Sequence, residues 1–188
     1  MHILAIECTH VSLSVALGDG DDVTLISGAE WNRAAETILP LVQELFLRSG
    51  TPKERLDAVA VSSGPGSFTA LRIGMSAAKG LAYGLGIPLV AVPTLHAMAL
   101  SSLPRTATET IVPVIPARKG EYHFACYRRG ALEARSASQE SCRGSAEAVL
   151  TAAGTVAGTA TVVARQSGAF PMRSEEHTSE LQSLGRIS

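Results

Sequence analysis

The sequence predicts an α/β protein built from two similar units, and three observations support this. Segments in which apolar residues alternate in period two are interspersed with segments in which they recur every three or four residues. The predicted elements run strand-strand-strand-helix-strand-helix, then strand and helix, then strand-strand-strand-helix-strand, so a similar block occurs twice. Hydrophobic residues make up 46% of the 188 residues, which is enough to fill a core. We predict a first unit at residues 1–93 and a second at 94–172.

The first unit opens with an antiparallel meander. Three strands are predicted at residues 3–7, 11–17 and 22–30. In VSLSVAL, apolar residues alternate with serine and alanine, which is typical of a half-buried strand. The period then changes, and an amphipathic helix is predicted at 37–49, with Thr37 as its N-cap and Pro40 in its first turn.

The stretch SSGPGSFTALRIG joins a buried strand, predicted at 56–63, to a helix predicted at 68–83 with Ser67 as its N-cap. Gly64 and Gly66 permit a tight turn, and the N–H groups at the start of a helix attract anions. The spacing nevertheless matches neither the dinucleotide-binding nor the P-loop motif. The residues therefore allow two interpretations, a phosphate cradle or a close strand-helix joint.

The helix after this turn has small residues at four-residue steps. They are Ala70, Gly74, Ala78 and Ala82. Small side chains allow another element to approach closely, and the simplest use is packing on the protein's own sheet. The helix is apolar nearly all round, however, so a second apolar face would need a partner.

After a strand at 87–92, the second unit is predicted to contain two helices and four strands. The helices are predicted at 94–103 and 144–154, and the strands at 111–117, 121–128, 131–137 and within 155–164.

Composition excludes several functional classes. The net charge is -1, with 16 basic and 17 acidic residues, and aromatic residues are only 4%, so strong binding to nucleic acid is not expected. The three cysteines have no CxxC spacing, and no two of the five histidines stand three or four apart, which argues against a metal site. We expect no signal peptide, no membrane span and a cytoplasmic location.

A few residues could carry chemistry. Glu7 ends the first strand and could hold a magnesium-bound water near a nucleotide, or could instead bond to Thr9 or nearby backbone. Together with the glycine turn it would suit a nucleotide-dependent phosphotransferase or ATPase. Ser62 stands in a poor match to a nucleophile elbow, so a serine hydrolase is a remote alternative. Arg118 and Lys119 could contact an anion or form a solvated hairpin turn.

The last residues differ in character from the rest. RSEEHTSELQS, at 173–183, resembles the translation of a sequencing-library adapter. We therefore treat 173–188 as a non-native or disordered tail and expect the second unit to be incomplete.

Four segments together resemble a known family. They are ILAIECTHVSLSVAL, ETILPLVQELF, AVSSGPGSFTALRIGMSAAKGLAYGLGIPLVAVPTLHAMA and VPVIPARKGEYHFACY. They are similar to the TsaB (YeaZ) family of bacterial threonylcarbamoyladenosine biosynthesis proteins. The resemblance covers residues 1 to about 130, and its specific part runs from GPGSFTALRIG to AKGLA.

The resemblance implies a fold like that of actin, sugar kinases and heat-shock chaperones (the ASKHA class). It also implies a non-catalytic scaffold that pairs with the catalytic paralogue TsaD, with the ATPase TsaE completing the complex. ATP and magnesium would be used through these partners, tRNA would be contacted indirectly, and this chain would bind no cofactor strongly. The paralogue holds its metal with an H-x-x-x-H pair, which this sequence lacks. An apolar helix face without its partner would also favour a homodimer.

The resemblance further implies that the first two helices contact the partner. The residues expected there are Ile38, Leu41, Leu45, Leu71, Met75 and Lys79. The turn formed by Gly64, Gly66 and Ser67 then becomes a vestigial phosphate loop. The family usually has aspartate where Glu7 and Pro116 stand, and the loss of an acid at 116 weakens any claim of nucleotide binding.

Overall fold

The computed structural model of the chain describes residues 1–9, 12–20, 22–30, 33–118, 120–134, 140–154 and 160–164. These residues form two compact units, one from Met1 to Pro93 and one beginning at Thr94. The tail predicted at 173–188 lies outside the described residues. Within them, no helix is both long and apolar enough to cross a membrane.

The first unit is a five-stranded mixed sheet with two helices. Its strands are β1 (His2–Glu7), β2 (Ser12–Asp19), β3 (Asp22–Glu30), β4 (Leu56–Ser62) and β5 (Leu89–Val92), in the order β3-β2-β1-β4-β5. Its helices are α1 (Ala34–Ser49) and α2 (Phe68–Leu85), with a 3-10 turn at Lys53–Arg55. The first three strands are antiparallel, as the meander predicted, and β1, β4 and β5 are parallel.

Both helices cover the same face of this sheet. Leu4 of β1 pairs with Leu17 of β2 and Val59 of β4, and all three side chains are buried. Residues of α1 and α2 belong to the same apolar cluster. The core therefore lies between the sheet and the two helices, as expected for alternating strands with one covered face.

The start of α1 differs from the prediction. The helix begins at Ala34 with Arg33 at the N-cap, so Thr37 lies inside it and donates its hydroxyl to the Arg33 carbonyl at 2.9 Å. Pro40 consequently lies within the helix and not in its first turn. Ala34 is fully buried, and the free energy gained by packing it on the sheet favours the extra turn despite the N–H that proline lacks.

The other face of the sheet is apolar and partly exposed. A lateral row runs from Leu25 through Ala16, Ala5 and Ala60 to Val90, each directly opposite the next on the neighbouring strand. The two ends of the row are exposed, Leu25 by 60% and Val90 by 47%. This face, on the side of the sheet away from α1 and α2, is therefore an apolar surface of the first unit.

The second unit is also a five-stranded mixed sheet. Its strands are β6 (Thr110–Pro116), β7 (Tyr122–Phe124), β8 (Tyr127–Arg128), β9 (Cys142–Gly144) and β10 (Ala160–Ala164), in the order β10-β6-β7-β9 with β8 also paired to β6. Its helices are α3 (Thr94–Ser102), α4 (Arg129–Glu133) and α5 (Ala146–Gly154), with a 3-10 turn at Leu103–Arg105.

The two units share a topology, which confirms the predicted duplication. In the first, β1 has an antiparallel neighbour that leads to β3, and a parallel neighbour, β4, reached through α1. In the second, β6 has an antiparallel neighbour, β7, which pairs with β9, and a parallel neighbour, β10, reached through α5. The plan is that of the ASKHA class.

The strand predicted at 131–137 is wrong over its described part, because residues 131–133 lie in a helix and Ala134 caps it. The backbone N–H of Arg129 donates to the Glu109 carbonyl at 2.7 Å, and its guanidinium donates to the carbonyls of Thr108 and Leu103. The chain then turns from β8 into α4, which buries Leu132. Residues 135–139 lie outside the described part of the chain. Strand β9 was not predicted, because its sequence, CRG, has no apolar alternation.

Two glycines of α2 allow a matched test of its geometry. Gly80 lies in the helix and Gly86 caps it with a φ of 67°, and a Cβ at either would meet no atom within 4 Å. Gly80→Ala should raise the free energy of unfolding by about 0.5–1 kcal/mol, through lower backbone entropy in the unfolded chain. Gly86→Ala should lower it by about 1–2 kcal/mol, because an L-residue is strained there. Urea denaturation of both variants measures the difference, and equal effects would contradict this helix end.

Candidate functional site: the glycine turn between β4 and α2

The turn lies at the carboxyl ends of the parallel strands β1 and β4. In a sheet of this kind ligands bind outside these strand ends, so the location suits a phosphate site. Gly64 has a φ of 101°, in the left-handed region that favours glycine. Ser67 caps α2 as predicted, with its hydroxyl accepting the N–H of Ala70 at 3.5 Å.

The end of β1 closes against the turn. A Cβ built on Gly66 would lie 2.5 Å from Thr9 Cβ and 2.7 Å from the Thr9 carbonyl oxygen. That carbonyl accepts the N–H of Ser67 at 3.1 Å. The glycine at 66 is therefore needed for close approach of the protein's own backbone, and Thr9 uses an N–H group that an anion would otherwise seek.

Cys8 fills the space beside α2 in a similar way. A Cβ on Gly74 would lie 1.9 Å from Cys8 Sγ. The Cys8 thiol donates to the Ala70 carbonyl at 3.2 Å, and its backbone N–H donates to Ser62 Oγ at 3.5 Å. Burial, followed by the nearby charge of Glu7, raises the pKa of Cys8 to about 11. The thiol is therefore neutral at pH 7 and acts as a packing group, not as a nucleophile.

Glu7 accepts hydrogen bonds from Thr9, two residues further along the chain. Its Oε1 accepts the backbone N–H of Thr9 at 2.7 Å and also the Thr9 hydroxyl. This arrangement is the second of the two roles that the sequence allowed for Glu7. It orients Thr9, whose carbonyl in turn holds Ser67.

The chemistry proposed for the other residues has little support in the geometry. Ser62 is buried, and none of the hydrogen bonds found among the described residues joins it to a histidine. The described part of the chain contains no group of three or more metal-ligating side chains. Arg118 is exposed, and Lys119 lies outside the described residues.

The six residues expected to contact a partner are not all on the surface. Ile38 and Leu45 are 2% and 0% exposed and belong to the core, because α1 needs them to cover its own sheet. Their expected outward position is therefore corrected. Leu41 is half-buried over Gly28 of β3.

The remaining three lie on α2. Leu71 is half-buried near Gly64, and Met75 packs against the core. Lys79 is exposed. A role for these residues and Leu41 in binding stays a prediction.

Several large side chains of the two helices are exposed, and we call six of them the outward helix face. They are Leu39, Leu47, Phe68, Arg72, Lys79 and Tyr83. Leu47 is 78% exposed and Tyr83 92%, and Arg72 lies over the Phe68 ring at 5.3 Å. Sequence reasoning missed the apolar members. A helical wheel centred on the buried stripe of α2 would have placed Phe68 and Tyr83 on the opposite side.

Comparison with known proteins shows the family of this chain. Residues 32–175 match the family model described as "TsaD: tRNA N6-adenosine threonylcarbamoyltransferase". The chain is 37% identical over 129 residues to the "tRNA threonylcarbamoyladenosine biosynthesis protein TsaB" of Escherichia coli, covering 69% of this chain and 56% of that protein. The Bacillus subtilis protein of the same name is 34% identical over 137 residues, covering 71% of this chain and 58% of that one. This chain belongs to the TsaB (YeaZ) family.

A solved structure supports the assignment to this family. YeaZ from Pseudomonas aeruginosa superposes with a TM-score of 0.68 at 26% identity, covering 78% of this chain and 68% of that chain. This TsaB-family chain spans little more than half the length of the curated relatives it matches. A shorter similarity, 43% over 74 residues, joins it to the "tRNA N6-adenosine threonylcarbamoyltransferase" of Porphyromonas gingivalis, covering 39% of this chain and 22% of that one.

The contact between Gly74 and Cys8 allows a double-mutant test. Gly74→Ala should lower the free energy of unfolding by about 2–3 kcal/mol, because the new methyl overlaps the buried Cys8 sulfur. In a Cys8→Ala background the sulfur is absent, and the same change should cost less than about 1 kcal/mol. Urea denaturation of the four proteins measures this coupling. Equal costs in both backgrounds would show that Cys8 does not fill the space beside α2.

Proposed function

We propose that this chain is a non-catalytic scaffold subunit in the formation of threonylcarbamoyladenosine on tRNA, and that it pairs with a TsaD-type threonylcarbamoyltransferase. The names of its relatives support the pathway. The observation that carries the non-catalytic role is the closure of the glycine turn by Thr9.

The closed turn argues against the alternative of a nucleotide-dependent phosphotransferase or ATPase. Such an enzyme needs N–H groups open to the phosphates and an acid directed at magnesium. Here the Ser67 N–H is bonded to Thr9, the Ala70 N–H to Ser67, and the Glu7 carboxylate to Thr9. In the proposed role this chain binds no nucleotide strongly, and ATP and magnesium act through TsaD and the TsaE ATPase.

The outward helix face is the surface that we propose for the partner. It combines exposed apolar side chains with two cations of α2, Arg72 and Lys79, and α2 contains no acidic residue. The two acids of α1, Glu36 and Glu44, are paired with arginines. Aromatic and arginine side chains are enriched where proteins bind one another. A partner surface with apolar pockets and an acidic rim would complement it, and a second copy of this chain, with the same cations, would fit less well.

Contact with tRNA is assigned to the partners in this proposal. The net charge of -1 gives the chain little general attraction for a polyanion. The scaffold would act by holding the catalytic subunit in its active arrangement, so its loss would remove activity from the complex without removing any reacting group.

A matched pair of substitutions tests this interface. Leu47 lies on α1 in the outward helix face, and Leu25 lies on the opposite side of the first unit, in β3. Both are well exposed, so glutamate at either position should leave the fold intact. Leu47→Glu should weaken binding to the TsaD protein of the same organism by about tenfold or more, the loss expected for a central apolar contact. Leu25→Glu should leave it unchanged.

Size-exclusion chromatography with light scattering gives the stoichiometry, and titration calorimetry gives the affinity. A one-to-one complex that responds to Leu47→Glu alone supports the proposal. If both substitutions weaken binding to TsaD equally, the outward helix face is not the interface. The scaffold role would be contradicted if the chain does not bind TsaD and hydrolyses ATP by itself.

A further inference from the structure

Two cysteines of the second unit lie on the same face of its sheet. Cys142 begins β9 and is directly opposite Phe124 of β7. Cys126 follows Phe124 by two residues, and its thiol points to the Ala152 carbonyl of α5 at 3.8 Å. Cys126 packs in the same apolar cluster as Phe124. Cys126 lies just beyond the end of β7. Continuing the register of β7 and β9 two residues past Phe124 makes Cys126 a diagonal neighbour of Cys142, on the side of the sheet that α5 covers.

We propose that Cys126 and Cys142 are a thiol modification site that forms a reversible intramolecular disulfide. Both are free thiols in this structure. Diagonal neighbours on a regular antiparallel ladder have Cα atoms about 7–8 Å apart. A disulfide needs roughly 4.4–6.8 Å, so bridging requires a small displacement of one strand.

The strand that moves is β9. It has three residues and stands at the edge of the described sheet, where β7 is its one neighbouring strand. Its far end is held, because a Cβ on Gly144 would lie 2.8 Å from Ala148 Cβ, and Arg143 pairs with Glu121 at 3.5 Å. The Cys142 end is paired with Phe124 of β7 in the ladder, but its side chain is exposed and makes no hydrogen bond or ion pair among the described contacts. A hinge at Gly144 would bring Cys142 toward Cys126.

The two thiols differ in accessibility, and this sets the order of the reaction. Cys142 is exposed, whereas Cys126 is half-buried. Burial and then the nearby Cys142 charge raise the pKa of Cys126, which agrees with their proximity. Cys142 is therefore the attacking residue, and Cys126 the resolving one.

The oxidant is a small-molecule disulfide such as oxidised glutathione. The Cys142 thiolate attacks one of its sulfurs, the S–S bond breaks, and one small thiolate leaves. The Cys126 thiol then loses its proton to solvent and attacks Cys142 Sγ, which releases the second small thiolate. Two protein thiols are oxidised by two electrons, and one disulfide is reduced to two thiols.

Non-reducing peptide mapping of the whole chain tests this directly. After equilibration with oxidised glutathione and alkylation of free thiols, trypsin separates residues 120–128 from 136–143. We expect these two peptides joined, two hydrogens lighter than their sum, with loss of alkylation at both cysteines. Cys8, which is buried and has a raised pKa, should stay reduced and serves as the internal reference.

The single variants distinguish the order of attack. Cys126→Ser should trap Cys142 as a stable mixed disulfide with glutathione, and Cys142→Ser should leave Cys126 reduced. A wild-type chain that accumulates only the mixed disulfide, forms Cys142–Cys142 dimers or stays fully reduced would overturn the proposal. The wild-type map gives this answer even if a variant fails to fold.

Discussion

The first unit depends on the close approach of the end of β1 to the turn and first helical turns of α2. Two glycines make this approach possible, because Gly66 admits the Thr9 backbone and Gly74 admits the Cys8 sulfur. Two hydrogen bonds then join the end of β1 to α2. The Ser67 N–H donates to the Thr9 carbonyl, and the Cys8 thiol donates to the Ala70 carbonyl. A phosphate site needs the same N–H groups and the same missing side chains, so a turn closed in this way loses the means to bind one.

This packing also determines which surface remains available. The small residues of α2 and the apolar stripe of α1 are buried against the sheet. Large side chains on the opposite sides of these helices, such as Leu47 and Tyr83, are therefore left exposed. Burial of α1 accounts for the correction at Ile38 and Leu45. An apolar stripe in the sequence predicts that one face of a helix is buried, but not which surface buries it. In α1 this face packs on the protein's own sheet, so it is not available to a partner.

Much of the fold could be predicted because the local patterns of periodicity and helix capping agree with the final packing. Period-two alternation predicted β2, and Ser67 predicted the start of α2. The failures have physical causes outside the local pattern. Residues 131–133 lie in a helix that buries Leu132 where a strand was predicted, and α1 gained a turn by burying Ala34. In the site, the glycines were identified, but the role of Thr9 could not be, because it depends on a contact between residues far apart in the chain.

An amide NMR titration of the chain with Mg-ATP tests directly whether the glycine turn is closed. We expect the Ser67 and Ala70 amides to be protected from exchange and not to shift as ATP is added, because they are bonded to the Thr9 carbonyl and the Ser67 hydroxyl. Saturable shifts confined to residues 64–70, with loss of that protection, would show that Thr9 leaves the turn and that the phosphate site still works.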